Sequence, residues 1–273
     1  VINFRASFAQ ETSRIIETAI AAGVKPQEIC AYLPSDAGGM ENLAMIKAIL
    51  EKHPGAEDVA RTFDQIIALP AEQADPNGLG PVGFYKRSEL TQARSGHQSL
   101  KNWEKTANTR CRLVLTVGGI NASTANFVQY SRYRGEKWPV SITSQIEAAS
   151  FIKALGDFNI KDGVIMTQVV PALDSPLPII EEARKALGEN LSNISLEGYI
   201  VGKLFLAITR NIKGGMTREN FLKAARGRTF GPERQHQGDD PVRQGVNAPH
   251  EDERHRGRLG REECGQPACR SGP

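Results

Sequence analysis

The chain has 273 residues, of which 40% are hydrophobic, enough for a real core in one large domain or two smaller ones. Its net charge of +3 is too small to point to nucleic acid or an anionic membrane as a partner. No apolar run approaches the ~20 residues of a membrane helix, so direct membrane insertion is not expected.

Residues 1–4 read as a strand, and no signal peptide is evident, so the chain is expected to begin inside a fold. Residues 10–22 carry Ile15, Ile16, Ala19 and Ile20 at helical spacing, with Gly23 where a C-cap belongs. Residues 29–33 read as the next strand, followed by the loop Pro34-Ser-Asp-Ala-Gly-Gly39 and a helix over 40–52. Residues 51–81 break this rhythm with Pro54, Pro70, Pro76, Gly78 and Gly80, and read as a surface excursion holding one short element. Then come a strand at 82–85, a helix at 98–105 and a continuous apolar strand at 113–117, suited to burial on both faces of a parallel sheet. Gly118-Gly119 turns the backbone. Asn121, Ser123 and Thr124 are candidate caps of a helix running to 134. That turn reads equally well as a plain connector or as a ligand loop at a strand end.

A strand at 139–143, a helix at 144–155 and a strand at 163–170 follow. Beyond Pro176 only helices are expected, at 178–187, at 195–212 (the most apolar of the chain) and from Thr217 to 226. Alternating strands and helices followed by helices alone indicate an α/β fold with a mostly parallel sheet and a helical addition. Residues 231–273 lose apolar periodicity and are expected to be a disordered or out-of-frame tail. Cys30 lies in an apolar run and Cys111 just before one, so both read as buried free thiols. Cys264 and Cys269 lie in the polar tail, and no metal-ligand spacing is present, so no metal or cofactor is expected.

Several motifs occur in a telling order: Asn3-Phe-Arg-Ala-Ser7, Ser35-Asp-Ala-Gly-Gly39, Val117-Gly-Gly-Ile-Asn121, then Gly163-Val-Ile-Met-Thr-Gln-Val-Val-Pro171. Asp174-Ser-Pro-Leu-Pro178, Ser195-Leu-Glu-Gly-Tyr199 and Thr217-Arg-Glu complete the series. Over about residues 1–230 the chain thus resembles the periplasmic substrate-binding proteins of branched-chain amino-acid type ABC transporters, and looks like a fragment of one. The resemblance implies two α/β lobes closing on a ligand. Residues 1–170 would be the second lobe. Residues 171–230 would be a helical part of the first lobe, whose remainder lies outside this sequence. It also implies a non-enzymatic, periplasmic protein that captures a small polar solute, an amino acid or a related compound, and docks on a membrane permease. An effector-binding sensor domain of the same fold is the alternative. No nucleophile elbow, P-loop or dinucleotide fingerprint supports an enzyme.

The resemblance also implies the ligand contacts. The family's usual aromatic residues fall at Gly38 and Ile120, its ammonium-binding acid at Ser144, and a ring at the cleft lip at Ile194. All four depart from the amino-acid pattern. A buried ammonium needs a charged partner, so either another acid such as Glu147 serves or the ligand lacks an ammonium. Asn121 is a fifth expected contact, and Ser123 and Gln145 could orient a neutral or anionic ligand. Glu197 reads as favouring a helix dipole, Tyr199 as core, and His53 and His97 as surface histidines.

Overall fold

The computed structural model describes residues 5–69, 76–89 and 91–226. The strand expected at 1–4 and the tail at 231–273 lie outside the described residues.

Ser7 opens helix α1 (Phe8–Ala21) with a reciprocal cap. Its hydroxyl accepts from the Gln10 N–H at 3.3 Å, and its own N–H donates to the Gln10 side chain at 2.8 Å. Strand β1 (Ile29–Pro34) is buried along its whole length. Asp36 then caps α2 (Ala37–Leu50) by accepting from the Gly39 N–H at 3.0 Å, which starts this helix earlier than the apolar spacing alone implies. The excursion at 51–81 contains more than a short element. It holds α3 (Glu57–Ile67), whose Val59, Ala60, Phe63 and Ile66 form a buried stripe among charged residues.

Next come β2 (Val82–Tyr85), α4 (Ala93–Thr106), β3 (Leu113–Thr116), α5 (Asn121–Tyr133), β4 (Val140–Ile142), α6 (Ala148–Gly156) and β5 (Val164–Met166). The five strands pair in the order β2-β1-β3-β4-β5, all parallel, with Ile29 opposite Leu113 and Val114 opposite Val140. The fold is therefore α/β with a fully parallel sheet. Side chains alternate along β1. Ile29, Ala31 and Leu33 join α1, α2 and α3 in one core, while Cys30 and Tyr32 join α4, α5 and α6 in the other. The chain goes outward from β1 to β2 and then returns to the far side of β1 for β3. The strand order thus reverses between β1 and β3, and the carboxyl ends of those strands form the crevice where open α/β sheets bind ligands.

Cys30 and Cys111 are not free thiols. They form a disulfide across 81 residues, with Cα atoms 5.6 Å apart and both side chains buried. Pairing of β1 with β3 brings the two cysteines within bridging distance, and nothing local in the sequence signals it.

His97 is not a surface residue either. Helix α4 begins at Ala93 rather than near 98, which turns His97 inward together with Ala93 and Leu100. It is 4% exposed, with its ring centroid 5.2 Å from those of Tyr130 and Trp138. Burial lowers its pKa below the usual value. Glu136, whose carboxylate lies 3.8 Å away, and Glu104 pull it back only in part, while Arg134 and Lys101 add to the lowering. The unfolded chain therefore takes up the proton first as the pH falls. The His97 contribution is intact above about pH 6.5 and is lost as the pH drops from there towards the lowered folded pKa. Urea midpoints at pH 7.5 and 5.5 are expected to differ less in His97→Gln than in the parent chain. An unchanged difference would contradict this account.

Beyond β5 lie α7 (Pro178–Leu187), α8 (Asn193–Thr209) and α9 (Arg218–Ala225). Ile180, Ala183 and Leu196 form a small core with Val170, separate from the two sheet cores. This unit also exposes large apolar side chains: Val201, Phe205, Leu206 and Met216 are 41%, 51%, 53% and 67% exposed.

Candidate functional site

The five parallel strands bring their carboxyl ends to one edge of the sheet, where the turns after β1, β3 and β4 carry the candidate positions. After β1, the Asp36 to Gly39 turn runs close under the strand. A Cβ on Gly39 would lie 1.7 Å from the Pro34 carbonyl oxygen, so a larger residue there would force the backbone to shift. Gly38 is different, since a Cβ would meet Asp36 Oδ1 at 3.5 Å and Arg87 Nη2 at 3.8 Å, which is ordinary contact. Gly38 therefore leaves an open place beside the Asp36–Arg87 ion pair. Partial burial pushes the Asp36 carboxyl up, but the Arg87 guanidinium and the Gly39 N–H outweigh it and hold the pKa below the usual value.

After β3, Gly118 takes φ +66°, a left-handed conformation that favours glycine. Ile120 precedes α5 without a side-chain cap, and its N–H donates to the Tyr85 hydroxyl at 3.4 Å. Tyr85 ends β2, is 2% exposed, and stacks on Tyr32 with centroids 4.9 Å apart. The Asn121 amide donates to Ser150 Oγ at 3.0 Å, so it ties α5 to α6. Gln145 donates to the Gly119 carbonyl at 2.8 Å and Ser123 to the Ile120 carbonyl at 3.0 Å. The polar side chains expected to orient a ligand thus brace the turn itself.

After β4, Ser144 is buried and committed. Its N–H donates to Glu11 Oε2 at 2.9 Å and its hydroxyl to Glu11 Oε1 at 3.0 Å. The Thr167 hydroxyl, at the end of β5, donates to the same carboxylate. Arg5 Nη2 reaches Glu11 Oε1 at 3.4 Å and also donates to the Ser144 hydroxyl. A carboxylate does lie at this strand end, but it comes from α1 and its oxygens already accept from four donors. Glu147 does not substitute for it: its carboxylate caps α6 by accepting from Ala149 N at 3.0 Å and Ser150 N at 2.6 Å. The Ser150 N–H is the main cause of its lowered pKa.

Gly38, Ile120, Asn121 and Ser144 therefore lie at the ends of neighbouring strands. Ile194 stands on a separate element, 44% exposed near the start of α8. Glu197, one turn later, lies beyond the first turn of that helix and pairs with Arg5 at 3.1 Å instead of serving the helix dipole. Tyr199 packs partly buried on the small helical core, and His53 is partly exposed after α2. Sequence reasoning missed Arg5, Glu11, Tyr85, Arg87 and Thr167. Of these, Arg5 stands in the quoted motif Asn3-Phe-Arg-Ala-Ser7 and Thr167 in Gly163-Val-Ile-Met-Thr-Gln-Val-Val-Pro171. Among the described residues, no group of three or more His, Cys, Asp or Glu side chains could hold a metal ion. The cavity bordered by Ser35, Asn77, Tyr85 and Gln92 holds about 110 Å³. Ligand pockets usually hold ~300 Å³ or more, so this cavity is too small to enclose a ligand by itself.

A parallel sheet with its loops gathered on one open edge is the architecture of one lobe of a periplasmic binding protein. Over 82% of its length the chain matches the fold of solved binding proteins of this kind. It is similar to a possible leucine/isoleucine/valine-binding protein from Rhodopirellula baltica SH 1, with TM-score 0.65 and 27% identity, covering 55% of that chain. It is also similar to an extracellular ligand-binding receptor from Verminephrobacter eiseniae ef01-2, with TM-score 0.59 and 17% identity. A substrate-binding periplasmic protein from Ralstonia solanacearum matches with TM-score 0.57 and 22% identity. The chain spans 56% of each of these last two, and at their identities they speak for the fold alone. No family model and no curated protein matches the sequence.

Proposed function

We propose that this chain is part of the solute-binding component of an ABC importer, non-enzymatic, and that it supplies one wall of a cleft for a small polar solute. The observation that carries this reading is the likeness to the Rhodopirellula protein, 27% identical over 82% of the chain. In that reading residues 1–170 form the second lobe and residues 171–230 belong to the first. Hinge closure of the two lobes would trap the solute, and the closed form would dock on a membrane permease. The exposed face of Val201, Phe205 and Leu206 suits burial against the rest of the first lobe, since apolar patches of this kind mark interaction surfaces. A periplasmic location agrees with the buried Cys30–Cys111 disulfide, because such bonds persist in oxidising compartments. Among the described residues, no helix is long and apolar enough to cross a membrane.

The site favours a carboxylate, amide or aromatic solute that needs no ammonium. Glu11, the carboxylate at the Ser144 strand end, already accepts from Arg5, Thr167 and both donors of Ser144. An incoming ammonium would have to displace this internal set, including a guanidinium. Calorimetric titration of a protein carrying both lobes tests the reading, using leucine, phenylacetate and benzamide as probes. Binding of a probe without an ammonium, and little response to leucine, is expected. Ser144→Glu should weaken that binding or leave it unchanged. A large gain in leucine affinity from Ser144→Glu alone would contradict the proposed ligand class. Saturable binding of none of a broad panel of small organic solutes would contradict the function.

A further inference from the structure

Arg5 stands between two carboxylates from distant parts of the chain. Its Nη1 reaches both carboxylate oxygens of Glu197, at 3.1 and 3.3 Å, while its Nη2 faces Glu11 and Ser144. The two acids differ in environment: the Glu11 side chain is 3% exposed and that of Glu197 is 19% exposed. Helices α7, α8 and α9 keep their own small core. Among the described residues, the Arg5–Glu197 pair is the salt bridge that joins these helices to the α/β unit, and no other does so.

We propose that Arg5 is a positioning residue that clasps α8 to the carboxyl edge of the sheet, with Glu197 as the half of the clasp that releases. The geometry makes the two halves unequal. Parting Arg5 from Glu11 leaves a buried carboxylate with hydroxyl and amide donors but no cation, which is costly. Parting Arg5 from Glu197 leaves two partly exposed groups that water can solvate, which is cheap. The clasp therefore opens on the α8 side, while Glu11 keeps Ser144 and Thr167 in place. Only a planar fork with several N–H donors serves two acids and a hydroxyl at once, so lysine does not replace Arg5. The link to ligand capture, in which the clasp restrains how far the lobes part, rests on the two-lobe reading above. The clasp itself does not.

Amide hydrogen exchange on the 273-residue chain tests this directly. Glu197→Gln is expected to speed exchange in α8 roughly twofold to fivefold and to leave β3, β4 and α5 unchanged. Arg5→Met should do the same in α8 and also speed exchange around Ser144 and Thr167, and Arg5→Lys should resemble it in α8. Adding Glu197→Gln to Arg5→Met should bring no further change in α8. Unchanged α8 exchange in Glu197→Gln, or additive effects in the double variant, would overturn the proposal. Should Arg5→Met fail to fold, Glu197→Gln and Arg5→Lys decide it. A protein that binds no solute yet shows the Glu197→Gln effect keeps the clasp and loses only the two-lobe reading.

Discussion

Reduction of the Cys30–Cys111 bond is expected to lower the unfolding free energy by about 4 kcal/mol. The bond closes a segment of 81 residues, so it removes many conformations from the unfolded chain and few from the native one. Burial of both sulfurs means that the reduced cysteines still pack as small apolar side chains, so the loss should appear mainly as lower stability. The bond also links β1 to the approach to β3, the two strands on either side of the crevice. Equilibrium urea unfolding with and without a thiol reductant measures the effect. Cys30→Ala/Cys111→Ala serves as a control that should no longer respond to reductant. A shift below about 1 kcal/mol on reduction would contradict the chain-entropy argument.

Gly39→Ala is expected to cost about 3 kcal/mol, whereas Gly38→Ala should cost nothing or stabilise slightly. The two glycines are neighbours in the first turn of α2, and the sequence alone does not separate them. Their surroundings do. The new methyl at 39 would lie 1.7 Å from the Pro34 carbonyl oxygen, so the helix start must lift off the end of β1. The methyl at 38 would meet nothing closer than Asp36 Oδ1 at 3.5 Å. Lifting the helix would also pull Asp36 away from the Gly39 N–H that helps cap it. Urea midpoints of the two variants give the comparison, and equal midpoints would contradict the packing at Pro34.

The parallel sheet was legible because its signals are local. The apolar runs of β1 and β3 and the stripes of α1, α2 and α8 lie within single elements. Helix α3 was obscured because Val59, Phe63 and Ile66 stand among charged residues in a stretch punctuated by prolines. The start of α4 is polar, so the apolar spacing marks only its later part, and the turn that carries His97 inward has no apolar signal of its own. The disulfide spans 81 residues, and the Glu11 contacts to Ser144 and Thr167 span 133 and 156. No local pattern carries such pairings. Ser144 could therefore be recognised as a strand-end position, while the carboxylate that occupies its donors could not. Asn121 and Gln145 were legible as polar loop residues, but their partners, Ser150 and the Gly119 carbonyl, follow only from the packing of α5 and the β4 turn.

A solute is expected to dock on the carboxyl edge of the sheet. Amide hydrogen exchange of a two-lobe protein carrying these residues, with and without a saturating solute, tests it most directly. Protection is expected at residues 35–38, 118–121 and 143–145, the turns after β1, β3 and β4. The opposite edge offers a rival location, a cavity of about 320 Å³ lined by Lys25, Gln27, Glu28, Asn108, Arg110 and Arg112. Those residues precede β1 and β3, at the amino ends of the strands. Protection confined to residues 25–28 and 108–112, with the strand-end turns unchanged, would contradict the account.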